Sequence, residues 1–328
     1  MKNEAKIAVI VPAFNEELLI KKTIDSVPDF VEKIIIINDK STDKTEEVVN
    51  NEKQLNNKII LINHSKNKGV GASLISGYQK SIDLEMDITV VMPGDAQALP
   101  DDFTNLVNPV LEGKADYSKG NRLNHKDVKS IMPRYRFVGN TFLSLFTKFA
   151  SGYYTIMDPQ MGYTAINNNT LKKINLSKMI KRYGYPGQLL HFLNLVDAVV
   201  CDVDIIPHYG EEKSGLRVWN ILPKLTFLLI GLFFKRVFKK LIFRDLSPAG
   251  ISYLLSFITL FVAEPILLSR VFRIHNQDGF VPELTFIMLL VFFILFILFF
   301  FFGLLFDIQE NKDLNFKIRI FWKIQKIH

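Results

Sequence analysis

Apolar positions in the first two-thirds of the chain follow two alternating spacings. Ile7–Val11, Lys33–Asn38, Lys58–Ile62 and Ile88–Met92 are short β-branched runs with little alternation, which suits strands covered on both faces. Between them, Glu16–Val27, Thr42–Leu55, Gly71–Asp83 and Asp101–Glu112 read as helices; in the first, Leu18, Leu19, Thr23, Ile24 and Val27 recur at helical spacing. Thr42, with Thr45-Glu46 after it, has the form of a capped start. Strand, helix and strand repeated with short joins predict an α/β domain with a mainly parallel sheet. Ligands of such sheets sit beyond the carboxyl ends of the strands.

After about residue 215 the pattern changes. Leu284–Phe306 is a run of 23 residues with no charge and nine Phe, long enough as a helix to cross a hydrocarbon core of ~30 Å. Pro248–Ser269 is a second candidate span, interrupted by Glu264-Pro265; a proline is tolerated there, and an acid near one end reaches the interface or a neighbour. With the loop Arg270–Glu283 they predict a hairpin whose flanks share one side. Leu225–Phe234 is too short to span, and its flanks Arg217–Lys224 and Lys235–Arg244 predict basic amphipathic helices in the headgroup layer. A third, kinked span is the alternative. The expected organisation is a soluble domain over 1–215, interfacial helices over 216–247, a transmembrane hairpin over 248–306 (spans 248–269 and 284–306) and a tail over 307–328.

Charge sharpens this division. The 328 residues hold 40 Lys+Arg against 33 Asp+Glu. Arg217–Arg244 contains seven of the basic residues and no acid, leaving 33 against 33 elsewhere. That speaks against a nucleic-acid binder with a broad basic face and for a local anionic partner, a membrane surface or a phosphate. The positive-inside rule puts both flanks of the hairpin in the cytoplasm, with Arg270 and Arg273 in the loop opposing it slightly. Met1–Lys6 is polar and Ile7–Pro12 is too short for a signal-peptide core, so the start of the chain is expected to be cytoplasmic too. At 48% hydrophobic residues the chain is not a disordered one, and the single Cys201 excludes a disulfide framework.

The predicted strand ends are polar: Pro12-Ala13-Phe14-Asn15-Glu16, Asn38-Asp39-Lys40-Ser41-Thr42-Asp43, Asn67-Lys68-Gly69-Val70-Gly71-Ala72 and Pro93-Gly94-Asp95-Ala96-Gln97. Each alone reads as a turn or a cap. Four of them on one sheet edge point to a site.

Together these segments resemble the inverting family 2 glycosyltransferases of the GT-A fold, and more narrowly the membrane-bound polyprenyl-phosphate sugar transferases of the dolichol-phosphate mannose synthase type. The resemblance runs from Ile7 to about Gly215. It implies a nucleotide site at Pro12, Phe14, Glu16, Asp39, Lys68 and Gly69, with Asp39 accepting hydrogen bonds from base or ribose and Phe14 offering a stacking face. Glu16 is equally well read as a charge favourable to a helix dipole. The family's metal motif Asp-x-Asp-x-Gln appears with Pro93 in the first place, so Asp95 and Gln97 are the expected ligands of Mg2+ or Mn2+. Gly120-Asn121-Arg122 and Met132–Asn140 match cationic segments of the family, and Arg122 and Arg136, with Arg134, would hold the donor diphosphate and the acceptor phosphate by forked hydrogen bonds. Asp158, in Asp158–Tyr163, would orient the sugar or an arginine. Tyr209–Gly215 resembles the family's acceptor element, with Pro207 where an arginine is usual; His208, Lys213, Ser214 and Arg217 are the candidates for its work.

Two function classes follow. Transfer from a GDP- or UDP-sugar to a polyprenyl phosphate needs no general base, because the phosphate is already ionised. Extension of a lipid-linked glycan at a hydroxyl needs a positioned carboxylate. The Gln-x-x-Arg-Trp motif of processive synthases is absent around Trp219, and Gly187-Gln188-Leu189-Leu190, read as following strand seven, offers no acid. The sequence therefore favours the phosphate acceptor, with a nucleotide sugar, a polyprenyl phosphate and the membrane as partners, no nucleic acid, and transmembrane helices available for a homo-oligomer.

Overall fold

The computed structural model describes residues 5–94, 100–123, 134–206, 218–280 and 282–318. Two compact units divide it: residues 1–232 with 313–328, and residues 233–312.

The first unit is built on an eight-stranded sheet in the order β3-β2-β1-β4-β6-β5-β7-β8. Its strands are β1 (Ile7–Ala13), β2 (Lys33–Asn38), β3 (Ile59–Asn63), β4 (Ile88–Val91), β5 (Tyr117–Asn121), β6 (Thr164–Asn167), β7 (Val200–Asp204) and β8 (Asn315–Ile318). Only β6 runs against its neighbours β4 and β5. The continuous apolar runs are explained by burial on both faces. Val9, Val11, Ile34 and Ile36 enter one core, while Ala8, Ile10, Ile35 and Ile37 enter the other.

The helices α1 (Ile20–Asp25), α2 (Thr45–Leu55), α3 (Val70–Asp83), α4 (Pro100–Leu111), α5 (Arg134–Ser151), α6 (Asn168–Lys173) and α7 (Tyr185–Leu195) fill the crossovers. Two predicted starts shift. The expected helix over Glu16–Val27 is regular only over Ile20–Asp25; a turn in which the Leu19 and Ile20 amides bond the Glu16 carbonyl precedes it, with the Glu16 and Glu17 amides on Thr45 Oγ1 and Asp43 Oδ2. Thr42 donates to Asn15 Oδ1 rather than capping; Asp43 Oδ1 takes the Thr45 amide, and α2 starts there. Gly187–Leu190 lies inside α7, ahead of β7 and not behind it. Residues 315–318, expected within a tail, form β8, which pairs in parallel with β7.

α8 (Val218–Arg236) joins the two units in sequence. In the second unit, a π-helical turn over Val237–Ile242 precedes α9 (Pro248–Ile258) and α10 (Glu264–Asp278). These two read as one helix of 30 residues, Pro248–Gln277, longer than the expected span. Glu264-Pro265 does not break it: a π-helical turn over Thr259–Ala263 widens the helix just before the proline, where the missing N–H and the ring need room. Gly279, at φ 72°, closes α10, so the loop between the spans is short. α11 (Glu283–Glu310) is the second apolar helix, 28 residues long. Arg236 and Lys240, expected among headgroup contacts, are buried, whereas Lys235, Lys239 and Arg244 are exposed. Arg236 donates to both oxygens of the buried Asp307 at 2.8 and 2.5 Å.

Candidate active site

β1, β2, β4 and β5 share one direction, so their carboxyl ends form one edge. The antiparallel β6 begins at that edge and brings the loop before it there as well. At the edge lies a cavity of about 360 Å³. Pro12, Phe14 and Glu16 line it from the β1 loop, Asp39 from the β2 loop, Asn67, Gly69, Val70 and Ser73 from the start of α3, and Arg182 and Tyr183 from the segment before α7.

The first two loops are locked together. Asn15, in the left-handed region at φ 58°, takes the Thr42 amide on its side chain and gives its own N–H to Ser41 Oγ. Asn38 Oδ1 accepts from Ser41 N–H, and the Asp39 amide bonds the Ala13 carbonyl. These contacts hold Phe14 half-exposed at the mouth of the cavity.

Asp39 organises the third loop. Its Oδ1 accepts from the Lys68 amide at 2.9 Å and its Oδ2 from the Gly69 amide at 2.7 Å. His64 Nδ1 lies 2.7 Å from Oδ1, and His64 Nε2 lies 2.9 Å from Ser76 Oγ. Burial pushes the Asp39 carboxyl up, but the Lys68 amide, His64 and the Gly69 amide outweigh it and hold it below the ordinary carboxylate range.

The glycines of this loop answer to a distant segment. Gly69 sits at φ 93°, and a Cβ there would come within 2.7 Å of the Lys181 carbonyl oxygen. A Cβ at Gly71 would lie 2.0 Å from the Ile180 carbonyl oxygen. The Ala72 amide bonds Lys181 O. Gln188 fixes that segment in turn, accepting from the Ile180 amide and donating to Lys178 O. Gln188 is therefore committed to scaffolding. The close approach spends the Ala72 amide on Lys181 O and leaves Gly69, Val70 and the buried Ser73 hydroxyl, which has no hydrogen-bond partner, at the cavity wall.

Beyond the end of β5, Arg122 Nε donates to Asp158 Oδ2 at 2.8 Å, supported by a longer contact from its other nitrogen to Oδ1. Asp158 is fully buried, while the Arg122 side chain is 16% exposed. The arrangement offers a guanidinium, held by a buried carboxylate, to an anion at the sheet edge.

Residues 8–174 match the Glycosyl transferase family 2. The chain belongs to this family. It is 36% identical over 233 residues to the UDP-N-acetylglucosamine–dolichyl-phosphate N-acetylglucosaminyltransferase of Methanococcus voltae, covering 66% of this chain and 90% of that protein. A dolichyl-phosphate beta-glucosyltransferase of Trichomonas vaginalis is 24% identical, covering 70% of this chain and 74% of its own. Glucosyl-3-phosphoglycerate synthase from Mycobacterium tuberculosis, solved with Mn2+, UDP and glucosyl-3-phosphoglycerate, matches the fold at a TM-score of 0.52 and 19% identity over 71% of this chain and 80% of that one.

In this family 2 glycosyltransferase the structure gathers Pro12, Phe14, Glu16, Asp39 and Gly69 around one cavity and joins Arg122 to Asp158. Lys68 contributes its amide to Asp39, while its side chain lines a neighbouring hollow with Lys66 and Lys181. Asp95, Gln97, His208, Lys213, Ser214 and Arg217, and the side chains of Arg134 and Arg136, lie outside the described residues. Among the described residues no cluster of three or more His, Cys, Asp or Glu can hold a metal, and Asp158 is already committed to Arg122. His64, Arg182, Tyr183, Lys119 and Asp202 belong to no motif and escape the sequence reading. His64 was within reach, as it directly follows β3.

Proposed function

We propose that this enzyme transfers a sugar, with inversion, from a GDP- or UDP-linked donor to a polyprenyl phosphate at the cytoplasmic face of the cell membrane. The observation that carries this reading is the likeness to a dolichyl-phosphate sugar transferase along nine-tenths of that protein, in a chain with two apolar helices of 30 and 28 residues. The cavity receives the nucleoside, with Phe14 as a stacking face. The Ser73 hydroxyl faces its phosphates, and Arg122 draws on the diphosphate charge that grows as the sugar departs. Asp95 and Gln97 would hold Mg2+ or Mn2+, which would supply positive charge to the leaving nucleoside diphosphate. Arg134, Arg136, His208, Lys213, Ser214 and Arg217 are proposed for the acceptor phosphate, which is ionised at neutral pH and needs no general base.

The test supplies the full-length protein in detergent with a panel of nucleotide sugars and a polyprenyl phosphate, followed by mass spectrometry of the lipid. One lipid-linked sugar phosphate is expected. Sugar added only to a glycan hydroxyl would overturn the reading.

The return of the chain to the first unit at Asp313, after it leaves at Leu232, supports an even number of crossings, and the basic flanks of the hairpin support the cytoplasmic face. Protease added to sealed inside-out vesicles is expected to cut the catalytic domain and the segment after Glu310. A turn at Gly279 labelled from that same side would contradict the hairpin.

A further inference from the structure

The segment Met157–Met161 carries Asp158 and is gripped at both ends by buried charged side chains. Asp202 Oδ2, on β7, accepts from the Met157 amide at 3.2 Å and from Asn121 Nδ2 at 2.9 Å. Asn121 precedes Arg122 and Met157 precedes Asp158, so one carboxylate oxygen touches the residue before each member of the Arg122–Asp158 pair. Lys119, on β5, is the register partner of Asp202, so the two side chains share a face of the sheet. Its Nζ donates to the Met161 carbonyl. Both residues are 1% exposed.

Support alone does not explain this pair. Two buried charges are a poor way to gain stability, and apolar side chains of the same volume commonly do as well or better. Asp202 Oδ1, moreover, is buried without a hydrogen-bond partner, which costs stability. What the charges provide is direction: each points at the backbone of the segment bearing Asp158.

We propose that Asp202 and Lys119 are positioning residues, which clamp Met157–Met161 against β5 and so set the angle at which Asp158 presents the Arg122 guanidinium to the donor diphosphate. This rests on the transferase reading for the role of Arg122.

The clamp is sensitive to pH. Burial raises the Asp202 carboxyl to about 7, with Asp158 adding to the rise and the Met157 amide, Lys317 on β8 and Lys119 opposing it. Lys148 on α5 also feels this carboxylate. Burial lowers the Lys119 ammonium to about 8, aided by Arg122 and opposed by Asp158 and Asp202. Below the Asp202 value the carboxylate that accepts both hydrogen bonds is lost; above the Lys119 value the charged donor is lost. The grip is therefore fullest in a narrow interval between them.

The experiment compares the wild type with Asp202→Asn, Lys119→Met and Lys317→Gln, all full-length in detergent, by kcat and donor KM across the neutral range and by the folded fraction of each. Asp202→Asn keeps an acceptor oxygen but cannot ionise. It should lower kcat about tenfold with donor KM within about twofold, and erase the acid limb near pH 7. Lys119→Met should lower kcat similarly and erase the alkaline limb. Lys317 is exposed, and Lys317→Gln should move the acid limb upward while keeping the maximal rate. An unmoved acid limb in both Asp202→Asn and Lys317→Gln, or rate losses that merely follow the folded fraction, would overturn the proposal. If the wild type transfers sugar to no polyprenyl phosphate, it is the function reading that fails. The clamp is then judged by the pH dependence of UDP and GDP affinity, where an ionisation unshifted by Asp202→Asn overturns it.

Discussion

Arg122→Ala is expected to abolish sugar transfer and to destabilise the catalytic domain by about 3–5 kcal/mol, the usual result of leaving one partner of a buried ion pair uncompensated. Asp158 is fully buried and Arg122 only 16% exposed, so solvent cannot replace the guanidinium. The two consequences are separable. Arg122→Lys keeps a positive charge near Asp158 but not the fork that bonds a carboxylate and a phosphate together. It should retain most of the stability while turnover falls by about 10²–10³-fold, the scale of losing one donor to developing charge. Denaturant unfolding beside initial rates checks both. A fully active Arg122→Lys enzyme would remove Arg122 from the diphosphate and leave it a structural role.

Asp95→Ala should be the most damaging change after that. Pro93 stands where the family's motif has its first carboxylate, so Asp95 is the motif's remaining one. A cation at a developing diphosphate is worth several kcal/mol, so turnover should fall by about 10²–10⁴-fold. Excess EDTA should stop the wild-type enzyme, and added Mg2+ or Mn2+ should restart it. Gln97→Ala should weaken the metal dependence while the domain stays folded. Full turnover in EDTA would show that Pro93 marks a metal-independent site.

The first four strands were legible because each is a continuous β-branched run, a pattern that burial on both faces demands. β5 was not: Tyr117-Ser118-Lys119-Gly120-Asn121 looks like a loop, yet every residue in it is buried. Ser118 bonds the Leu106 carbonyl and Lys119 the Met161 carbonyl, so its polar groups are satisfied by partners far along the chain. The glycines of Asn67–Ala72 were legible as a motif, but their cause was not. It is the backbone of Ile180 and Lys181 passing within contact distance. Asp39 is legible from its place at a strand end, while His64 carries no mark but position. The first apolar helix proved longer than its hydrophobic run, since a helix continues through polar residues wherever its backbone stays bonded, and Pro265 is absorbed by the π-helical turn before it.

β8 has a consequence for how the protein is made. It pairs with β7 but follows the whole of residues 233–312 in the chain, so both apolar helices leave the ribosome before the sheet can be finished. During that interval β7 is a bare edge, the kind of surface that recruits stray strands and aggregates. On the proposed two-span topology, only a hairpin that has turned back to its starting side would deliver Asn315–Ile318 to that edge. A chain whose second helix failed to insert would then keep an open sheet, and the last strand would serve as a seal on biogenesis.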